Sequence, residues 1–247
     1  MIDVLGRPVG AQQLVNSERD DEECDARDDD QGTEAGSIKK IIRQAACSVP
    51  TSFKPSTLNL NLTAMLPEKY KWIETIGPLP KLVATALNFY GIREVPGINN
   101  NPVIMNMAKT LKIESIYKND DTSWCGLFMS YLCTICDKPL PDLKGDKFNY
   151  LRALWFKDFG KKVKKGEERF GDVGVFTRPG GGHVGLIIAQ STNTWHILGG
   201  NQGNSVNIVE IAKTRFITAR NFYAIGPPES AKQYVLSSSG VLSTNEA

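Results

Sequence analysis

Cys125 and His183 are the two residues whose types and settings could do chemistry together. Cys125 lies in Asp121-Thr122-Ser123-Trp124-Cys125-Gly126-Leu127-Phe128, where a polar turn runs into an apolar segment of helical spacing. That spacing predicts a buried helix with Cys125 at or next to its first turn. A thiol there meets the positive end of the helix dipole and unpaired backbone N–H groups, and both favour the nucleophilic thiolate. Such a cysteine wants an imidazole as proton partner. Of the two histidines, His183 sits in Gly180-Gly181-Gly182-His183-Val184-Gly185, at the start of an apolar strand. The missing side chains on both sides would let another chain approach the ring. His196, between Trp195 and Ile197 on an alternating strand, reads as surface or packing. The pairing of Cys125 with His183 requires that they meet in space beside an open groove.

A general base needs a group to hold its tautomer. Leu198-Gly199-Gly200-Asn201-Gln202-Gly203-Asn204 ends the strand after the histidine strand, and antiparallel neighbours bring the end of one beside the start of the other. Asn201 is the expected third member, accepting from the ring N–H, with Gln202 as fallback. The bland alternative is a glycine-rich turn in which Asn merely tolerates positive φ. Trp124 is expected to wall the cleft and Gly126 to leave room for a substrate backbone; Gly182 and Gln202 complete the expected binding set. The backbone N–H of Cys125 and one further donor would hold an oxyanion, a side chain between Asp121 and Ser123 being one option. Asp172 reads as a turn residue. Cys133 and Cys136 form a CxxC with no second pair and no nearby His, so buried apolar cysteines are favoured over zinc. The scheme calls for no metal and no cofactor.

Helices come first in the elements that must position these groups. Pro80 opens a helix from Lys81 to Tyr90, stopped by Gly91, and Asn101-Pro102 opens another from Val103 to Leu111. The Cys125 helix follows and ends at Asp137-Lys138-Pro139, with a short helix around 150–156. After the basic run Lys161-Lys162-Val163-Lys164-Lys165 the pattern changes to strands at 173–176, 184–189, 195–198, 206–211 and 221–225. The near-continuous apolar run 184–189 should be central. Helices followed by an antiparallel sheet of about five strands make an α+β fold. The domain limits follow: an acidic arm over 1–60, a linker over 61–79, a catalytic domain over 80–227 and a tail over 228–247. Within the arm, residues 38–45 could form a short amphipathic helix.

The chain has 247 residues, 41% of them hydrophobic, enough for one good core. Its net charge of +2 conceals a division: residues 1–37 carry eleven Asp/Glu against three Arg, about −8, leaving about +10 for the rest. A basic body suits an anionic polymer such as wall material, and equally a solvated surface. The acidic arm could order against a partner or remain a tail. No aromatic-interleaved basic motif argues for nucleic acid. Five cysteines without framework spacing argue for free thiols. No signal peptide or membrane-spanning run is expected.

Ser123-Trp124-Cys125-Gly126-Leu127-Phe128, Gly171-Asp172-Val173-Gly174-Val175-Phe176, Gly182-His183-Val184-Gly185 and Leu198-Gly199-Gly200-Asn201-Gln202 together resemble the successive motifs of the CHAP family. These are cysteine, histidine-dependent amidohydrolases/peptidases of the NlpC-like, papain-fold superfamily. The resemblance runs from about Pro80 to Pro227. It implies a papain-like core with the cysteine on a helix and the histidine on the sheet. It also implies cleavage of amide bonds in peptidoglycan, as endopeptidase or N-acetylmuramoyl-L-alanine amidase. Many relatives are phage lysins or tail-associated wall hydrolases, so a virion or the host periplasm and cell wall is the expected location. The arm would then dock to tail or baseplate proteins. One departure is Gly199, where relatives often carry Glu. The rival expectation is a non-enzymatic wall-binding or structural module on the same fold.

Overall fold

The computed structural model describes residues 66–142 and 144–244, all within a compact unit running from Pro55 to Ala247. The acidic arm, including its helix candidate at 38–45, lies outside these residues. The description begins on a 3-10 helix, Glu68–Glu74, which buries Tyr70 and Ile73. Helix α1 (Lys81–Leu87) starts directly after Pro80 and is succeeded by turns up to Gly91, at φ 85°. In α2 (Pro102–Thr110), Asn101 is the N-cap and its side chain accepts from the Val103 N–H at 2.8 Å. Helix α3 (Cys125–Ile135) is apolar on nearly all sides, which suits a helix enclosed by other elements. Asp137, at φ 53°, ends it.

Strands follow: β1 (Lys161–Lys162), β2 (Val173–Arg178), β3 (Gly181–Gln190), β4 (Thr194–Gly199), β5 (Asn207–Ala212) and β6 (Phe216–Asn221). They form one antiparallel six-stranded sheet in the order β1-β6-β2-β3-β4-β5. With the helices this is an α+β arrangement. The apolar run on β3 lies centrally, between β2 and β4. Val184, Leu186 and Ile188 of β3 join the helix-side core, while Ile187 joins Phe176, Trp195, Ile197, Ile211 and Ala219 in a smaller cluster.

Several sequence expectations change. The short helix near 150–156 is two 3-10 segments, Lys147–Tyr150 and Ala153–Asp158. The basic run supplies the edge strand β1, whose lysines are exposed. The last strand is 216–221, not 221–225; Phe222 packs against Phe159 and lies under Lys138 instead. The described part of the expected linker contributes three residues to the core, Leu66, Tyr70 and Ile73. The expected tail is anchored too. Ser230 and Ala231 are buried, and Tyr234 and Leu236 exchange backbone hydrogen bonds with Gln190 at 2.9 Å each. No helix among the described residues is long and apolar enough to cross a membrane.

Candidate active site

The turn before α3 is built by carboxylates and amides of two loops. Asp120 Oδ2 accepts from the N–H groups of Val95 (3.0 Å) and Asn101 (2.7 Å), and the Asp120 N–H donates to Asn100 Oδ1 at 2.8 Å. The Trp124 indole N–H donates to Glu94 Oε1 at 2.7 Å. These bonds fix the chain that delivers Cys125 to the first position of α3. A Cβ on Gly126 would overlap the Leu151 carbonyl, and one on Gly200 would come within 2.7 Å of Trp124 and Phe128. The helix start therefore packs directly on the 151–152 backbone and on the β4–β5 turn. The space at Gly126, expected to admit substrate, is filled by the protein's own chain.

The backbone N–H groups of Val184 and Gly126 and the Ser123 hydroxyl lie close enough to the Cys125 sulfur to favour its charged form. The sulfur thus sits against β3 at the residue that follows His183. Arg178 stands nearby: its Nε donates to Gly182 O at 3.1 Å and its Nη2 to Ser123 Oγ at 3.3 Å. Burial pushes the Cys125 thiol up, while the Arg178 guanidinium, the Ser123 hydroxyl and the two N–H groups pull it down. Burial outweighs them, so the thiol is pushed up rather than down, against the direction expected from the helix terminus alone.

His183 is oriented by Gln202. Its Nε2 lies 2.9 Å from Gln202 Oε1. The Gln202 amide cannot be turned around, because its Nε2 donates to Ile197 O (3.2 Å), Asn207 O (2.7 Å) and Asn207 Oδ1 (3.1 Å). Oε1 must therefore accept, His183 Nε2 must carry the proton, and Nδ1 is the basic nitrogen of the neutral ring. Asn201, the expected third member, does not take this place. Its φ is 57°, and its buried amide has no hydrogen-bond partner among the described residues. The fallback residue fills the orienting position, and Asn201 serves the left-handed turn that aims it. Gly199 matters here, since a Cβ would come within 3.0 Å of Gln202 Oε1 and 3.3 Å of His183 Nε2.

Where an open groove was expected beside the pair, the described residues enclose it. Cys125 is 1% exposed, and His183, Trp124 and Gln202 are 0% exposed. Trp124 is core rather than a cleft wall, its ring packed edge-on against Phe128. Gly182 is buried; a Cβ there would overlap the side chain of Leu154, which is itself 38% exposed. Three cavities of the described residues are lined by neither Cys125 nor His183; the largest, about 490 Å³, touches Gln202 alone of this group.

His196 is buried, not at the surface. Its Nδ1 lies 2.8 Å from the Tyr70 hydroxyl, and burial pushes its imidazole down to about 4. Cys133 and Cys136 are free, buried thiols. Asp172 binds back to the Arg169 N–H at 2.8 Å, as a turn residue does.

The residue that sequence reading missed is Arg178. It stands in Thr177-Arg178-Pro179-Gly180, which reads only as a hairpin tip. The signal lay in the hairpin register, which puts Arg178 opposite Gly181 and so beside the histidine's flank. No protein-family model, curated protein or solved structure matches the chain.

Proposed function

We propose that this protein is a cysteine-dependent amide hydrolase with a papain-like core of the CHAP type, acting on the peptide of bacterial peptidoglycan. One observation carries the reading: a cysteine at the first position of a helix lies beside Val184, the strand residue adjoining a histidine whose tautomer is fixed by a side-chain amide. That arrangement suits nucleophilic acyl transfer. His183 Nδ1 takes the thiol proton, the Cys125 sulfur attacks the amide carbonyl carbon, and the protonated ring returns the proton to the leaving amine. Water then hydrolyses the thioester. Backbone N–H groups at the start of α3 would receive the developing oxyanion. A described body that is basic favours an anionic polymer, and the motif resemblance supports the wall peptide as substrate, by endopeptidase or amidase cleavage. A phage-borne lysin, carried in a virion tail or released as an endolysin, fits the same resemblance; washed virions examined by mass spectrometry would contain the protein only in the first case.

Cys125→Ala should abolish muropeptide release from purified sacculi while leaving the circular dichroism spectrum unchanged. Release at the wild-type rate by that variant would end the proposal.

The burial of both Cys125 and His183 favours a second reading, a non-enzymatic structural or wall-binding module of a phage tail on the same fold. Alkylation selective for Cys125 among the five cysteines would favour the enzyme; a Cys125 as inert as Cys133 would favour the module.

A further inference from the structure

We propose that Arg178, acting with Ser123, is a positioning pair that supplies the counter-charge for the Cys125 thiolate and sets the cysteine-bearing turn against the histidine-bearing strand. The inference rests on Cys125 being the nucleophile, and it assigns roles that no motif marks.

A single side chain grips both halves of the site. Arg178 Nε holds the carbonyl of Gly182, the residue before His183, and Nη2 holds the hydroxyl of Ser123, two residues before Cys125. A guanidinium is a rigid planar fork, so two bonds at different nitrogens fix its plane and the separation of what it holds. The Ser123 oxygen accepts from the arginine, which leaves its own O–H free to donate towards the neighbouring Cys125. The charge is thus relayed to the sulfur by one hydroxyl as well as acting through space.

Charge balance points the same way. Among the described residues, no carboxylate forms an ion pair with Arg178. Here the acidic group it faces is a thiol, and the anion that would complete the pair appears only when Cys125 loses its proton. Burial opposes that loss, and the arginine and serine offset it together with the backbone N–H groups of Val184 and Gly126, the arginine being the one full charge among them.

The test is a pH titration of thiolate ultraviolet absorbance on the full-length chain, each variant being referenced to the same variant carrying Cys125→Ser. Arg178→Gln should move the Cys125 midpoint upward by about one pH unit or more. Ser123→Ala should move it less, in the same direction. Arg178→Lys should fall between wild type and Arg178→Gln, since it keeps charge but loses the fork. If Arg178→Gln does not fold, the lysine and serine variants carry the test alone. Midpoints at the wild-type value in folded variants overturn the proposal. The readout is independent of which bond is cut: an upward shift in a chain that releases no muropeptide upholds this pairing and defeats the substrate reading, whereas release with no shift does the opposite.

Discussion

Gln202 and Asn201 are neighbours with opposite lots, and the difference is decided by one dihedral. Asn201 adopts φ 57°, which turns the chain so that the next side chain reaches His183. Asn and Gly tolerate that conformation; most residues do not. Asn201→Gly should therefore keep muropeptide release within about threefold of wild type, because only turn geometry is asked of it. Gln202→Ala should lower kcat by about 10²-fold or more, because the ring loses the group that fixes its tautomer. The opposite ranking would return the third role to Asn201. From the sequence, the cysteine and the histidine were legible because each stands at the edge of a strong local pattern: apolar helical spacing after Cys125, an apolar run after His183. The choice between two adjacent amides was not legible, since it depends on which of them has carbonyls of Ile197 and Asn207 to hold its nitrogen. Trp124 was misplaced for a similar reason. An aromatic beside a candidate nucleophile looks like a wall until Glu94, thirty residues away, is seen to take its N–H.

At the level of elements, α3 is held by contacts that leave no slack. Gly126→Ala would drive a methyl into the Leu151 carbonyl, and Ser130 Oγ donates to the neighbouring Tyr150 O at 2.9 Å, so the 150–152 segment cannot simply withdraw. A loss of about 1–3 kcal/mol in urea unfolding, with Cys125 displaced from its donors, is expected. The 3-10 segment Ala153–Asp158 carries Leu154 against Gly182, at the flank of His183. Trimming it with Leu154→Ala should speed alkylation of Cys125 by iodoacetamide several-fold while leaving Cys133 unchanged; equal rates would show that this side chain is no part of the cover. Helix and strand positions were readable where periodicity was strong, as for α2 and β3. β6 was not, because Phe216-Ile217-Thr218-Ala219-Arg220-Asn221 mixes polar and apolar residues and owes its strand to pairing with β2. The more apolar Phe222 and Tyr223 drew the assignment past its true end.

Across the whole molecule, segments that looked peripheral complete the core. Residues 66–74 and 228–244 have weak periodicity, and the few they bury, Leu66, Tyr70, Ile73, Ser230 and Ala231, do so through long-range contacts that spacing cannot reveal. Among the buried titrating groups, two act on the acid response in opposite senses. His196, pushed down to about 4 by burial, contributes stability that is complete above its unfolded value and is lost as pH falls towards 4. Asp172, raised to about 6 by burial, contributes in the other sense: its share is complete at low pH and is lost as pH rises through 6. Each is worth about 3 kcal/mol at most, and between pH 4 and 6 they largely offset one another. Asp172→Asn should therefore melt at or above the wild-type temperature at neutral pH, yet lose more of its melting temperature on acidification, as measured by calorimetry. A parallel response in both proteins would refute this account. Glu210 of β5 extends the theme, since Lys69, Thr194, Ser238 and the Ser239 N–H all converge on its carboxylate, and the Ser243 N–H reaches its carbonyl at 2.9 Å. The closing stretch of chain thus works as a gasket along the outermost strand. Shorn of it, β5 would offer bare donors and acceptors to any passing strand, and the molecule would trade solitude for stickiness at high concentration.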